Sequence, residues 1–340
     1  MYLVNVFGKY IFFESIICLH NIYMMGLFQK KTKTIIKIKT KPKTNNTTRK
    51  NKMNCNPAND RITSSPDTCY TNKALMKIKH AYNRNNGGNR ITANDPKKVF
   101  DELKAKLAHC DKEDCWLNEL PESEKKYLDE EMFAPDQPAD WKHNPNEWLS
   151  NIDILNVLRQ YPQKYKNFRF IGPTPIDFET RLPEENGKCV WEDLCNFSLK
   201  SMIKQNINKI GIVFNLDEHN EPGSHWTSMF IDMKSHYIFY FDSAANETPD
   251  EIKDLVKKIQ EQGEMLDKPI KFDYYENFPT RHQNGNTECG MYSLFFIITM
   301  LTGKTDFDKR MSLAKKIELF RDKKISDDYV ESFRNIYFNK

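Results

Sequence analysis

The residue that most clearly suggests chemistry is Cys289, which is followed by Gly290 and then by a strongly apolar stretch. Apolar side chains on every side of residues 289–301 predict a helix at the centre of a core. A cysteine at the N-terminus of such a helix lies near free backbone N–H groups and the positive end of the helix dipole. Because both favour the thiolate, we predict that Cys289 is a nucleophile and that Gly290 leaves room for a substrate carbonyl.

A candidate base and its partner lie on two neighbouring predicted strands. His225 opens a strand over residues 225–232, and Asp242 ends a strand over residues 236–243. A short turn joins these strands, so an antiparallel hairpin brings the start of the first beside the end of the second. We therefore expect Asp242 to orient His225 and stabilise its charged form, with Trp226 shielding both from water.

Gln283 completes the predicted site as an oxyanion donor. It lies six positions before Cys289, and Gly285 between them lets the loop fold back. The Gln283 amide and the Cys289 backbone N–H would then meet the oxyanion of a tetrahedral intermediate. Each residue alone has a structural explanation, because packed histidines, turn aspartates and buried cysteines are common. The order His, Asp, Gln, Cys favours thiol catalysis.

The remaining patterns predict three regions. Residues 1–53 are a disordered basic extension, residues 54–132 a small helical accessory region, and residues 140–340 the domain that carries the chemistry. A Pro- and Asp-bearing linker is predicted over residues 133–145, and Thr71 and Asp95 are predicted helix caps. Further helices are predicted over residues 148–160, 249–262, 307–321 and 327–338, and further strands over residues 210–216 and 269–275.

Charge is concentrated at the N-terminus. Residues 1–53 hold eleven basic residues and one acidic residue, so with a formal charge of +4 overall the remaining residues carry −6. This charge distribution argues against a basic body built for nucleic acid, although the tail can make weak contacts with nucleic acid or a membrane. Charged residues interrupt the apolar start of the chain, which favours an unstructured extension or an over-extended start over a membrane anchor.

The eight cysteines form no dense regular framework, and we predict a reducing, intracellular compartment. The grouping closest to a metal site is His109, Cys110 and Cys115, with Cys189 and Cys195 further along. No paired C-x-x-C motif is present, and structural zinc usually takes four ligands in tight pairs. We therefore predict neither a metal nor another cofactor.

Three motifs resemble the signature of the Ulp1/adenain-type cysteine proteases. They are His225-Trp226, Phe241-Asp242-Ser243 and Gln283-x₅-Cys289-Gly290. The Thr287–Ser293 run and the opening Trp148-Leu149-Ser150-Asn151 are similar in style to the Ulp1-like, SUMO-protease-like enzymes of large cytoplasmic DNA viruses. The helical segment 69–118 resembles the N-terminal extension of those enzymes.

The resemblance implies an α/β (α+β) papain-like, adenain-type fold, with a central mixed sheet flanked by helices and a small helical extension. It also implies a metal-free thiol mechanism and cleavage after Gly-Gly-type sites, with Trp148, Trp226 and Gly290 at the substrate. Deconjugating members usually open Trp-Leu-Asn-Asp, whereas Ser150 and Asn151 stand here. The expected substrate is therefore a viral structural polyprotein, cut by a monomeric enzyme in the host cytoplasm or the virion.

Several alternatives remain open from the sequence. A deSUMOylating or ubiquitin-like isopeptidase has the same chemical residues, and an acyltransferase can use a His-acid-Cys triad on the same fold. The presence of all four chemical residues argues against a binding module without turnover. A nucleic-acid-binding role rests on the basic tail alone.

Overall fold

The structure, a computed structural model, describes residues 53–59, 68–305 and 310–340. In the N-terminal part of these ranges the α-helices are α1 (Asn72–Asn85), α2 (Pro96–Lys106) and α3 (Glu122–Met132), with a 3₁₀ helix at Glu113–Glu119. Thr71 and Asp95 cap α1 and α2 by accepting hydrogen bonds from backbone N–H groups, as the sequence predicts.

The remainder of the described chain is built around a mixed five-stranded sheet. The strands are β1 (Phe168–Pro175), β2 (Arg181–Leu182), β3 (Lys188–Cys189), β4 (Lys209–Asn215), β5 (Trp226–Asp232), β6 (Tyr237–Phe241) and β7 (Asp273–Glu276). The sheet order is β1-β4-β5-β6-β7, and β2 and β3 form a separate pair. Strands β4, β5 and β6 are antiparallel, whereas the outer strands β1 and β7 pair in parallel with β4 and β6.

Helices cover both faces of the sheet. They are α4 (Asn151–Leu158), α5 (Tyr161–Lys164), α6 (Glu192–Cys195), α7 (Leu199–Lys204), α8 (Asp250–Glu264), α9 (Cys289–Thr302), α10 (Leu313–Ile317), α11 (Asp327–Glu331) and α12 (Arg334–Tyr337). A π-helical turn at Glu318–Asp322 continues α10. Among the described residues, no helix is both long enough and apolar enough to cross a membrane.

Strand β6 shows how the side-chain period of two builds two cores. Tyr237, Phe239 and Phe241 pack with α9 on one face, while Ile238 and Tyr240 pack with α8 on the other. Helix α9 is buried on all sides from its first residue to Leu301, as its apolar sequence predicts. The start of α9 is therefore held firmly against the sheet.

The accessory region has a core of its own, formed by buried residues between Met53 and Phe133. It is joined to the sheet domain by polar contacts, such as the Gln160 amide that donates to the Phe133 carbonyl at 2.8 Å. The predicted linker over residues 133–145 is packed rather than free, because Trp141 is buried beneath the Arg334 guanidinium.

Several element boundaries differ from the sequence prediction. Helix α4 begins at Asn151, because Ser150 is the N-cap of a capping box with Asp153, so Trp148 lies in the preceding loop. Strand β7 is four residues long and begins at Asp273 rather than at 269. The helix predicted over 327–338 is two short helices, and that predicted over 307–321 begins at Leu313, with residues 306–309 outside the described ranges.

Six cysteines are paired as disulfides, which was not expected from the sequence. The pairs are Cys55–Cys69, Cys110–Cys115 and Cys189–Cys195. Each pair closes a short segment, with partners 14, 5 and 6 residues apart, so local loops bring the sulfurs together without any C-x-x-C spacing. Cys289 is the free cysteine of the described ranges.

Candidate active site

The hairpin of β5 and β6 brings His225 and Asp242 into contact, as predicted. Ser228 of β5 lies opposite Phe241 of β6, so the residue before β5 and the residue after β6 meet at one edge of the sheet. His225 Nε2 lies 2.6 Å from Asp242 Oδ1. This bond places the proton of the neutral ring on Nε2 and leaves Nδ1 for a second partner.

Asp242 is held by donors on several sides. Its carboxylate accepts hydrogen bonds from the backbone N–H groups of Ala244 at 2.8 Å and Asn246 at 3.0 Å, and from the Asn246 amide at 2.9 Å. The Asn277 side chain accepts a hydrogen bond from the backbone N–H of Asp242 and donates one to the backbone carbonyl of Asp242. Burial disfavours the carboxylate, but these donors and His225 outweigh it and lower the pKa of Asp242. The carboxylate is therefore a fixed anion.

His225 is the most strongly perturbed imidazole in the described chain. Burial opposes its charged form, but the hydrogen bond to Asp242 and the nearby Cys289 thiol outweigh burial and raise the pKa of His225 to about 10. The structure thus brings His225 between the carboxylate and the thiol. An imidazolium in this position can stabilise a thiolate and donate a proton.

Cys289 is the first residue of α9, at the positive end of the helix dipole. It is 1% exposed, whereas the His225 side chain is 18% exposed, so the imidazole is the more solvent-accessible of the two side chains. A Cβ added to Gly290 would lie 3.0 Å from the Leu149 Cβ and 3.3 Å from the Trp226 ring. A side chain at this position would press these two neighbours aside by a few tenths of an ångström, so the start of the helix is closely packed here.

Gln283 lies beside the end of β6. Its backbone N–H donates to the Ser243 carbonyl at 2.9 Å, and its Oε1 accepts from Ser243 Oγ at 2.7 Å. Its Nε2 donates to the Gly285 carbonyl at 3.1 Å. Because Ser243 occupies the amide oxygen, the amide cannot flip without losing this bond. The predicted oxyanion donor thus has a fixed orientation, bound to the residue that follows Asp242.

The two predicted tryptophans lie at one cavity. Trp226 Nε1 donates to the Leu149 carbonyl at 2.9 Å, which ties β5 to the loop before α4. Trp148, 36% exposed, stands on that loop. Both line a cavity of about 620 Å³ whose other walls carry acidic side chains, among them Asp217 and Glu221. These acidic walls are unsuited to an anionic group.

Sequence reasoning missed the residues that support the site. Ser243 lies within one of the three family motifs, and Asn246 follows Asp242 in a polar turn, so both had a local signal. Asn277 had none, because it reaches Asp242 across 35 residues. The same holds for Asp327 and Arg334, which contact the loop before Cys289 from the C-terminal segment.

The grouping discounted as a metal site is only partly assembled. Donor atoms of His109, Cys110 and Cys115 lie within 4.8 Å of one another, but the two sulfurs are bonded together. Cys189 and Cys195 bind each other instead of joining that group. Three donors, two of them in a disulfide, do not make the tetrahedral thiolate set of structural zinc.

A mixed sheet with a His–Asp pair at its edge and a cysteine at the start of the buried helix defines an α/β cysteine peptidase. Residues 201–336 match the Ulp1 protease family, C-terminal catalytic domain. This part of the chain is therefore a catalytic domain of the Ulp1 protease family, and the protein is a cysteine peptidase. The fold class and the family expected from the sequence are confirmed.

Two named relatives of this chain are viral proteins. The chain is 27% identical over 307 residues to a proposed thiol protease of Acanthamoeba polyphaga mimivirus, covering 84% of this chain and 92% of that protein. It is 27% identical over 257 residues to a protein of African swine fever virus named as a SUMO-1 cysteine protease, covering 70% of this chain and 86% of that protein.

A solved structure shares the fold. The crystal structure of a protease of African swine fever virus superposes with a TM-score of 0.54 at 21% identity, covering 85% of this chain and 96% of that one. At this level of identity the likeness supports the fold alone.

Proposed function

We propose that this protein is a cysteine endopeptidase that cuts polypeptides after Gly-Gly sites, with Cys289 as nucleophile, His225 as acid and base, and Asp242 as the residue that orients His225. One observation carries the proposal: the His225 imidazole is hydrogen-bonded to Asp242, and the Cys289 thiol lies near enough to the same ring to help raise its pKa. An imidazole that is oriented by a carboxylate and lies beside a thiol is what a thiol mechanism needs.

In the proposed first step, the Cys289 thiolate attacks the carbonyl carbon of the second glycine and forms a tetrahedral oxyanion. The oxyanion collapses as the C–N bond breaks, and the His225 imidazolium gives its proton to the leaving amine. Water then attacks the thioester, with His225 now taking a proton from the water, and the thiolate leaves. Asp242 keeps the imidazole in the right orientation and balances its charge.

The oxyanion would be bound by the Gln283 amide and the backbone N–H of Cys289. The bond from Ser243 to Gln283 Oε1 supports this role, because it keeps the N–H₂ group from flipping. The N–H of Cys289 lies in the first turn of α9, where backbone N–H groups have no partner within the helix. Such donors act on charge that develops only during reaction.

Selectivity for glycine rests on the tight packing at Gly290. A methyl group at that position would already crowd Leu149 and Trp226, so little space is left for substrate side chains. Trp148 stands partly exposed on the loop beside them and is proposed to lie over the two glycines. Trp148, Trp226 and Gly290 are therefore the proposed substrate-binding residues.

The proposed substrate is a viral structural polyprotein, which the enzyme would cut as a monomer in the host cytoplasm or the virion. The viral relatives support this choice. The basic N-terminal extension is proposed to add weak nucleic-acid or membrane contacts, and residues 1–52 lie outside the described ranges. Nothing in this chemistry asks for a metal or another cofactor.

An isopeptidase acting on SUMO or ubiquitin is the second candidate, favoured by the name of the African swine fever virus relative. Ser150 and Asn151 weigh against it, because they replace an Asn-Asp pair expected of deconjugating members. An acyltransferase is disfavoured because the cavity beside the tryptophans is lined by Asp217, Glu218 and Glu221, which repel the phosphates of coenzyme A.

The test is a panel of fluorogenic peptides together with SUMO and ubiquitin fusions. We expect cleavage after Gly-Gly, strong losses when either glycine is alanine, and a loss of at least about 10⁴-fold for Cys289→Ala. Acetyl-CoA should not label Cys289. Equal cleavage of Ala-Ala and Gly-Gly peptides would refute the glycine selectivity, and full activity of Cys289→Ala would refute the mechanism.

A further inference from the structure

The carboxylate of Asp327, the first residue of α11, is bound to the loop that connects Gln283 to Cys289. Its Oδ2 accepts from the backbone N–H of Gly285 at 2.8 Å and of Asn284 at 3.0 Å. Its Oδ1 accepts from the Tyr292 hydroxyl at 2.8 Å and lies 3.2 Å from the Asn284 nitrogen. One side chain from a distant segment thus holds two successive N–H groups of this loop.

Other contacts reach the loop on either side of Gly285, such as the bond from Lys324 Nζ to Asn284 Oδ1 at 2.7 Å, but Gly285 itself is held through its backbone. Gly285 lacks a side chain, so its conformation depends on what binds its backbone. Asp327 binds the N–H of Gly285, and the Gln283 amide binds the carbonyl of the same residue. Gly285 therefore links the Asp327 carboxylate to the amide that is proposed to bind the oxyanion.

Tyr292 provides a further contact to the Asp327 carboxylate. It lies in the first turn of α9, three residues after Cys289, and its hydroxyl donates to Asp327 and lies 3.1 Å from the Ile325 carbonyl oxygen. A hydrogen bond to a charged acceptor is stronger than one to a neutral acceptor. The loop, the nucleophile's helix and the C-terminal segment are thereby tied to one carboxylate.

We propose that Asp327 is a positioning residue that holds the Gln283 amide where the oxyanion forms. The proposal rests on the proposed function of Gln283. Loss of the carboxylate loosens Gly285 and the amide bound to it, which weakens stabilisation of the tetrahedral intermediate and leaves ground-state binding of the peptide unchanged. Asp327 should therefore act on kcat rather than on KM.

The first measurement compares two reactions of Cys289 in the wild type and in Asp327→Asn. Hydrolysis of a Gly-Gly peptide passes through an oxyanion, whereas alkylation by iodoacetamide does not. We expect kcat to fall about tenfold, with KM and the alkylation rate within about twofold of wild type. Asp328→Asn, which changes the neighbouring carboxylate on the same helix, is the matched control and should leave all three unchanged.

The second measurement is a double-mutant cycle with Gln283→Ala. Gln283→Ala should lower kcat by about 10²-fold, and adding Asp327→Asn should lower it by less than about twofold further, because the two residues act through one amide. If the two losses in kcat multiply in the double variant, the positioning role is overturned. A fall in the alkylation rate of Asp327→Asn as large as its fall in kcat would also overturn it, because such a fall indicates general damage. If Gln283→Ala keeps full activity, the oxyanion assignment itself fails and the positioning role fails with it.

Folding of the variant is controlled by a milder change. Tyr292→Phe removes one donor to Asp327 and keeps the ring that packs in the core. If Asp327→Asn does not fold, Tyr292→Phe should still lower kcat several-fold with the alkylation rate unchanged. An unchanged kcat in this variant, with Asp327→Asn unfolded, would count against the proposal.

Discussion

The two sides of the active site are positioned by different kinds of contact. His225 and Asp242 are held by β5 and β6, whose pairing is fixed by backbone hydrogen bonds across a short turn. Gln283 and Cys289 flank a loop held by Asp327 and Arg334, which lie 42 and 46 residues further along the chain from their partners in it. On the base side, the pairing of His225 with Asp242 is therefore local, although Asn277 also holds Asp242 from 35 residues away, whereas the nucleophile side depends on the C-terminal segment.

Two histidines near the site have pKa values that are shifted in opposite directions. His225 has charged partners, which raise its pKa to about 10 against the effect of burial. His282, beside Gln283, is buried with backbone partners, the Phe320 carbonyl and the Ile325 N–H. Burial lowers the pKa of His282 to about 4. One imidazole is poised to carry charge, and the other holds the C-terminal segment in place as a neutral ring.

Removing the Asp242 carboxylate on the base side should have the largest effect on activity. Asp242→Asn removes the charge that stabilises the imidazolium, and we expect kcat to fall by about 10²–10⁴-fold. The pKa of His225 should also fall, so the alkaline loss of activity, expected near pH 10 in the wild type, should begin at lower pH. A kcat/KM profile from about pH 6 to about pH 10.5 measures both.

Asp254→Asn, an exposed change on α8, is the control for the removal of one carboxylate. A profile in which Asp242→Asn and the wild type coincide would show that the carboxylate does not orient the base. A fall in kcat with no shift of the alkaline limb would show that Asp242 acts without changing the charge of His225.

Breaking the buried ion pair on the nucleophile side should lower the free energy of unfolding. Arg334 and Glu288 form a buried ion pair at 2.7 Å, with side chains 6% and 5% exposed, directly before Cys289. Arg334→Met leaves Glu288 buried without its partner, so the free energy of unfolding measured in urea should fall by about 3–5 kcal/mol. Adding Glu288→Gln should restore part of this loss, because the uncompensated charge is then gone while the bonds from Arg334 to the Pro145 and Glu147 carbonyls stay absent.

An exposed ion pair provides the comparison. Arg159 and Glu130 lie 3.4 Å apart with both side chains nearly half exposed, and Arg159→Met should change stability by less than about 1 kcal/mol. Similar losses for Arg159→Met and Arg334→Met would contradict the special dependence of the nucleophile side on its buried charges.

The two histidines predict opposite effects of pH on stability. His282 binds a proton less readily when folded, so its contribution is present above its usual pKa of about 6.5 and is lost as pH falls towards 4. His225 binds a proton more readily when folded, so its contribution is present below about 6.5 and is lost as pH rises towards 10. At about pH 5 the loss from His282 should be about 2 kcal/mol.

Urea unfolding at about pH 7.5 and about pH 5 tests the acid side of this prediction. His282→Gln should lose about 2 kcal/mol less between these values than the wild type, while the exposed His143→Gln should behave as the wild type does. An identical acid loss in the wild type and His282→Gln would show that His282 is not buried as a neutral ring.

Ser243→Ala should have the smallest effect of the series. It removes the donor to Gln283 Oε1 and lets the amide rotate, without touching the nucleophile or the base. We expect kcat to fall by about tenfold or less, with KM nearly unchanged. Steady-state kinetics on a Gly-Gly peptide measures this, and a loss as large as that of Asp242→Asn would contradict the division between the two sides.

The sequence predicted the base side because its geometry follows from local rules. Strand pairing across a short turn brings His225 to Asp242, and the buried helix predicts where Cys289 begins it. The sequence did not predict that Asp327 and Arg334 support the loop, because an acid and a base in a polar segment give no sign of distant partners. It missed the disulfides for a similar reason, since loop geometry and not spacing brings Cys189 to Cys195.

The most direct test is to trap Cys289 with a peptide that ends in Gly-Gly followed by a propargylamide group, an electrophile that reacts with an attacking thiol. Intact-mass measurement and peptide mapping of the wild type should find one adduct, on Cys289, and none in Cys289→Ala. An adduct on another residue, or none in a preparation that cleaves the matching Gly-Gly substrate, would contradict the assignment of this buried cysteine as the nucleophile.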